Sequence, residues 1–378
     1  SGGVDSSLVA ALAVKSIGGV RTYSVATEDP ALDESGFAAA VARQYDTEHH
    51  TLHVRGNARA HLEPLIASMG EPLADASALN LRAISAVARE EVTVVLTGDG
   101  GDEGFGGYSR FWAYRQADRL RRLLPAPARP TLAGLALALK SQRGAVRRAG
   151  TLLRLAAAPL EQTFGETAWM TDSTRRSLYT PEFRAARADH HPADHLRSAV
   201  LGSRDGALVD RAMQAHLLTI LPGDYLPKVD CATMSASLEA RSPFLDVDVL
   251  ELGMRIPPDA RLRGEPKAML RRLARKYLPR ETVDRKKQGF IAPVGRWLRH
   301  EWRDLVDEFV LGPQVEQRGW FQRGALKRLV DEQRAGADWD YLLWTLLVLE
   351  MWLRSANGSE HDLQPAGTAV LSGAGAGR

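Results

Sequence analysis

A single cysteine, Cys231, is all that the 378 residues hold. One cysteine excludes an intrachain disulfide and a cysteine zinc cluster, and it suits a reducing cytoplasm. Cys231 falls within a helical pattern with no base beside it, so it reads as an inert small residue rather than a nucleophile. Long apolar runs are also missing. The most apolar stretch, Trp339 to Leu353, falls short of the roughly 20 residues needed to span a bilayer. Asp340 and Glu350 interrupt it, and a buried helix is expected there. No secretory-leader pattern is recognisable. Charge of one sign is scarce as well: the net charge is +3, with 25% charged residues. Neither nucleic acid nor a membrane surface is expected as a partner. The 44% hydrophobic content is that of an ordinary globular chain, and the length allows about two domains.

The first residues, Ser1-Gly2-Gly3-Val4-Asp5-Ser6-Ser7, form a glycine-rich turn feeding into a helix. Backbone N–H groups at such a turn, with the helix N-terminus behind it, make a ready anion site. Gly2 and Gly3 allow close approach to a phosphate. Ser1, Ser6 and Ser7 add hydroxyl donors, and Asp5 can hold a magnesium ion bridging the phosphates. The loop is not of the GxxxxGKS/T kind, because the lysine is absent and the spacing differs.

Helix and strand alternate in the first part. Helices are expected at 5–16, 34–45, 58–69 and 77–90, and strands at 21–26 and 51–54. Val92 to Leu96 is a continuous apolar run of the kind buried on both faces of a parallel sheet. These units predict a doubly wound α/β sheet with ligand loops at the carboxyl ends of its strands. Pro125, Pro127 and Pro130 break an Arg/Ala/Leu-rich helical region at 110–160. Residues 181–206 are polar and proline-punctuated and read as a surface loop. Beyond 207 the pattern is mainly helical, and the Gly/Ala/Ser-rich tail at 355–378 is expected to be disordered. His49, His50 and His53 straddle a strand boundary and alternate in direction, which opposes a shared metal site. Glu239, Arg241 and Asp246 lie close in sequence and are expected to form a buried ionic support.

The apolar run ends in Thr97-Gly98-Asp99-Gly100-Gly101-Asp102-Glu103-Gly104-Phe105-Gly106-Gly107-Tyr108. Glycine loses more backbone entropy on folding than any other residue. The crowded carboxylates Asp99, Asp102 and Glu103 repel unless a cation sits among them. Magnesium with a polyphosphate resolves that repulsion, with Asp5 and Asp102 on either side of the metal. A calcium loop of the EF-hand kind lacks the required ligand spacing.

The first loop resembles the SGGxDS pyrophosphate loop of enzymes that split ATP between its α and β phosphates. Both loops together resemble the synthetase domain of the glutamine-dependent asparagine synthetase family, whose second loop runs close to SG(E/D)GxDExFGGY. Later blocks agree in order: Lys228 to Asp246 resembles KVDRxSMxxSLExRxPFLD, Gly264 to Arg272 resembles GxxKxxLR, and Arg285 to Pro293 resembles RPKxGFxxP. The resemblance runs from residue 1 to about 354.

It implies an adenine-nucleotide α-hydrolase-like core at 1–120 and a mainly helical remainder at 121–354. A strand ordinarily precedes such a loop, so the first strand is expected to be truncated. An N-terminal glutaminase domain is expected in the complete protein, and the piece alone is not expected to fold independently. The family activates a carboxylate with ATP and Mg2+, releases pyrophosphate and lets ammonia attack the acyl-adenylate. For the namesake reaction aspartate becomes asparagine.

Carried over, Ser1, Gly2, Gly3, Asp5, Ser6 and Ser7 hold pyrophosphate, and Val25 with Thr97 and Gly98 lines the adenosine site. Asp5 and Asp102 are the magnesium ligands. Lys267 stabilises charge on the leaving pyrophosphate, and Lys287 is either a further phosphate contact or a structural residue. Asp99 stands where glutamate is common and would take the proton of the attacking nitrogen. Cys231 and Lys286 are smaller departures. Asp75 and Ser77 lie in a block similar to one near the family's acceptor site, and a helix-start role suits them equally. Asp99 leaves the acceptor open between aspartate and another acid, such as an envelope sugar acid or a lactam precursor. A tRNA-thiolating enzyme is opposed by the single cysteine and weak basicity, and a silent nucleotide binder by Asp5, Asp102 and Lys267. A homodimer is compatible with the resemblance.

Overall fold

The computed structural model describes residues 1–30, 32–54, 59–138, 144–158, 170, 172–187, 189–202, 206–285 and 292–362. Helix α1 (Val4–Ile17) starts from an extended Gly3 and ends at Gly18, whose φ of 83° an L side chain would resist. Leu8 and Ala11 bury one face of it. Strand β1 (Arg21–Thr27) is joined through α2 (Ser35–Tyr45) to β2 (Glu48–Val54), and the strands pair in parallel from Arg21 opposite Glu48 to Thr27 opposite Val54. Two helices follow, α3 (Arg59–Ser68) and α4 (Ser77–Arg89). Strand β3 (Val94–Leu96) then pairs in parallel with the distant β4 (Glu239–Arg241).

Among the described residues the strands thus form two two-stranded parallel sheets rather than one continuous sheet. The Val92 to Leu96 run was expected to be buried on both faces, yet Val94 is 38% and Leu96 50% exposed. The reason is the unpaired side of each sheet. Residues of β1 and of β3 line one and the same cleft, of about 1550 Å3.

The core has three parts. The largest joins α3 and α4 to the C-terminal helices through Trp297, Trp302 and Trp344, whose rings follow one another at 4.7 and 6.2 Å. A second gathers Phe111, Tyr114 and Met213 around Leu262. The third lies under α1, where Leu8 and Val41 meet Phe105, Phe244 and Val283.

Residues 181–206, expected to be a loop, contain the helices Pro181–Ala186 and Asp194–Gly202. Thr180 caps the first through Phe183 N–H, and a proline at the first helical position supports a helix. Leu196 and Val200, one turn apart, bury the second. The last helix runs from Asp340 to Asp362, past the boundary expected at 354; residues 363–378 lie outside the described residues. Among the described residues no helix is long and apolar enough to cross a membrane.

Candidate active site

The N-terminus of α1 and the loop after β3 open into the cleft between the sheets. In the first loop Ser1 Oγ lies 2.8 Å from Ser6 Oγ, and Ser6 Oγ donates to the Ser1 carbonyl at 3.0 Å. The Ser7 hydroxyl is buried without a partner among the described residues. Arg285 fixes the loop from outside. It donates to the Gly2 carbonyl at 3.0 Å, pairs with the buried Glu34 and lies over the Phe37 ring.

The second loop leaves β3 at Thr97 and passes through α5 (Gly101–Phe105) before α6 (Ser109–Leu123). A Cβ on Gly98 would lie 2.6 Å from the Ser6 nitrogen, so the two loops touch through bare backbone. A Cβ on Gly107 would lie 1.6 Å from Asp102 Oδ1 and 2.1 Å from Lys267 Cε. Only glycine leaves room there for what fills the junction.

That occupant is the Lys267 ammonium. It pairs with Asp5 from the first loop and, at 2.6 Å, with Asp102 from the second. Lys267 is 6% exposed. Burial opposes its charge, but Asp5 and Asp102 outweigh burial and hold its pKa above the usual lysine value. The structure therefore brings Asp5, Asp102 and Lys267 together, with Lys267 between the carboxylates rather than extended toward a phosphate position. Ser1, Gly2, Gly3, Ser6 and Ser7 lie at the start of α1. Val25, near the end of β1, and Thr97 and Gly98 line the same cleft. Asp99 lines it too, its Oδ2 accepting from the Thr97 hydroxyl at 2.7 Å. Lys287 lies outside the described residues.

Also lining the cleft, Lys228 on the helix Leu226–Met234 donates to Asp75 Oδ2 at 3.0 Å. Asp75 Oδ1 also accepts from Ser77 N–H at 2.9 Å, so Asp75 serves both the start of α4 and the lysine. Burial raises the Asp75 pKa, but Lys228 and the Ser77 hydrogen bonds overcome it and leave the group lowered. Asp224, nearby, is pushed up to about 6 by burial and then by the charge of Asp75. The buried Glu103 accepts from Tyr108 Oη at 2.5 Å, and burial raises its pKa.

Glu239 and Arg241 pair at 2.7 Å but are exposed, and Asp246 caps the helix Val247–Arg255 through Asp248 N–H. The expected buried ionic cluster is therefore absent: on a short strand, residues two apart share one face, here an open one. The three histidines do not converge. His49 bonds Thr22 at 2.8 Å, whereas His50 faces Glu48 and Glu91. The bracket of Glu34, Arg285 and Gly2 and the Lys228 contact went unassigned in the sequence. Their blocks stood out, but nothing local says which side chain reaches the cleft.

The class these features define is a mixed α/β domain in which a glycine-rich loop before α1 and another after β3 close around a buried lysine ammonium. The family model described as asparagine synthase matches residues 1–354. The chain belongs to that family. A Mycobacterium tuberculosis protein, whose name gives asparagine synthetase (glutamine-hydrolyzing) as a provisional assignment, is 31% identical over 371 residues, covering 97% of this chain and 55% of that protein. A Bacillus subtilis protein named asparagine synthetase (glutamine-hydrolyzing) 1 is 27% identical over 359 residues, covering 93% of this chain and 55% of that protein. A Penicillium rubens protein named amidase chyE is 23% identical, covering 97% of this chain and 59% of that protein. The chain thus spans little more than half the length of the relatives it matches.

Proposed function

We propose that this chain is the synthetase part of an ATP-dependent, AMP-forming amidotransferase that activates a carboxylate, with aspartate as the acceptor. The observation that carries this reading is the Lys267 ammonium held between carboxylates of two separate loops. A site that already closes around one cation fits magnesium, which prefers hard oxygen ligands. Asp5 and Asp102 would hold that ion, and when bound it would screen the polyphosphate charge.

The remaining work falls to the chain. The first N–H groups of α1 and the hydroxyls of Ser1, Ser6 and Ser7 bind the leaving pyrophosphate. Lys267, once released from the carboxylates, turns to the phosphate oxygens and opposes the charge that develops as pyrophosphate leaves. Lys287 adds a second phosphate contact. Val25, Thr97 and Gly98 flank the adenosine of ATP; an acceptor carboxylate oxygen attacks the α-phosphorus as its bond to the pyrophosphate oxygen breaks. Asp99 then takes a proton from the nitrogen that displaces AMP. A second reading, a different acceptor acid, is favoured by Asp99. Its side chain is one methylene shorter than glutamate, and one oxygen is already engaged by Thr97.

The relatives extend well beyond the matched region, which supports a glutaminase domain that supplies ammonia in the full-length protein. One more strand between β1 and β3 would complete a doubly wound sheet. Support for it comes from their shared cleft and from the exposure of Val94 and Leu96.

The test is ATP–pyrophosphate exchange by the full-length parent with a panel of carboxylic acids. Aspartate-stimulated exchange is expected. Exchange with another acid only would favour the second reading, and none with any acid would overturn carboxylate activation.

A further inference from the structure

Five cationic side chains line the cleft among the described residues: Arg21, Lys228, Lys267, Arg271 and Arg285. Four are committed elsewhere. Arg21 pairs with Glu48 at the opposite end of the strands, and Lys267 bridges Asp5 and Asp102. Arg271 holds Glu265 and backbone carbonyls, and Arg285 holds Glu34 and Gly2.

Lys228 differs. Its side chain is 13% exposed, yet it spends one of three ammonium donors, on Asp75 Oδ2. Among the described residues no other acceptor takes the remaining two. The ammonium stands over the Tyr225 ring, 5.0 Å from its centroid, which restricts where it can point. Burial lowers its pKa, but Asp75 leads a set of carboxylates, with Asp99 and Asp224, that outweighs burial. The lysine is therefore a fixed, charged group within the electrostatic reach of Asp99. It lines the same cleft as the loops that close around Lys267.

We propose that Lys228 is a specificity-determining residue that binds a second carboxylate of the acceptor, the one that is not activated. Its neighbours fit the rest of such a molecule. Asp75 and Asp99 line the same cleft, and both, with Asp224, lie within electrostatic reach of Lys228, so the local balance is negative and suits an ammonium group beside the bound carboxylate. An amino dicarboxylate matches both signs, whereas a neutral sugar acid matches neither. This inference rests on the carboxylate-activating reading above and adds to it a residue that selects the acceptor.

The experiment uses the full-length parent and its Lys228→Met and Lys228→Arg variants. Acid-stimulated pyrophosphate exchange is measured with aspartate, with succinate, which lacks the ammonium, and with 3-aminopropanoate, which lacks the second carboxylate. Lys228→Met is expected to raise the KM for aspartate and for succinate by about 10- to 100-fold, the range for one charge-assisted hydrogen bond. The KM for ATP should stay within about twofold, and the preference for aspartate over 3-aminopropanoate should collapse. Lys228→Arg keeps the charge and should retain most of that preference, which separates recognition from a folding defect.

A Lys228→Met enzyme that keeps both its aspartate KM and its preference would overturn the assignment. So would equal losses toward ATP and every acid, which would mark a structural ion pair, or parent exchange confined to monocarboxylates. A parent inactive with every acid would instead bring down the activity reading, and the lysine's role with it.

Discussion

Lys267 holds its backbone at φ 54°, in the left-handed region that costs an L residue about 1 kcal/mol. From that position its Nζ reaches the gap between Asp5 and Asp102, and its N–H donates to the Gly106 carbonyl at 3.3 Å. Removing the charge takes away the ammonium that bridges the Asp5 and Asp102 carboxylates. Lys267→Met is therefore expected to destabilise the metal-free protein by about 3–5 kcal/mol, as breaking a buried ion pair does. Millimolar magnesium should recover much of the loss, because an ion that binds only the folded state stabilises it by mass action. Thermal melting with and without magnesium checks this, and an equal loss under both conditions would contradict a cation site. Asp5 and Asp102 were legible in the sequence because each sits in a glycine-rich loop whose crowded charge demands a partner. Lys228 was not, because its contact with Asp75 spans 153 positions and neither residue's neighbours announce it.

At the scale of elements, α2 and α4 were readable from their apolar periodicity, whereas in α1 the apolar Leu12 and Ile17 stand exposed. In the segment 181–206 proline does not break the chain into a loop: Pro181 starts a helix behind the Thr180 cap. The exposure of β3 could not be read from Val92 to Leu96 at all. A run of apolar residues predicts burial, but what buries it is a neighbouring strand. If one more strand sits between β1 and β3 in the full-length protein, the backbone amides facing the gap gain partners. Hydrogen exchange should then show β1 and β3 strongly protected in the parent and far less so in a chain of residues 1–378. Equal exchange in the two proteins would contradict that completed sheet.

For the molecule as a whole, one cleft of about 1550 Å3 serves both ends of the proposed chemistry. In that proposal the α1 terminus and the Asp5, Lys267 and Asp102 cluster would form the nucleotide end, and Lys228 with Asp75 the acceptor end. Asp99 lies between them, near the Lys228 ammonium and hydrogen-bonded to Thr97 of the nucleotide loop. On the proposed reading, an acceptor carboxylate meets the α-phosphate of ATP within this one cleft. Family membership rests on a match that runs through residue 354, so it covers both ends of the cleft. The most direct test of the central claim follows a single oxygen atom. The full-length parent is given ATP, a nitrogen source and aspartate labelled with heavy oxygen in its side-chain carboxylate, and the label is located by mass spectrometry. An acyl-adenylate route transfers one labelled oxygen to AMP; unlabelled AMP, or label in inorganic phosphate, would contradict it.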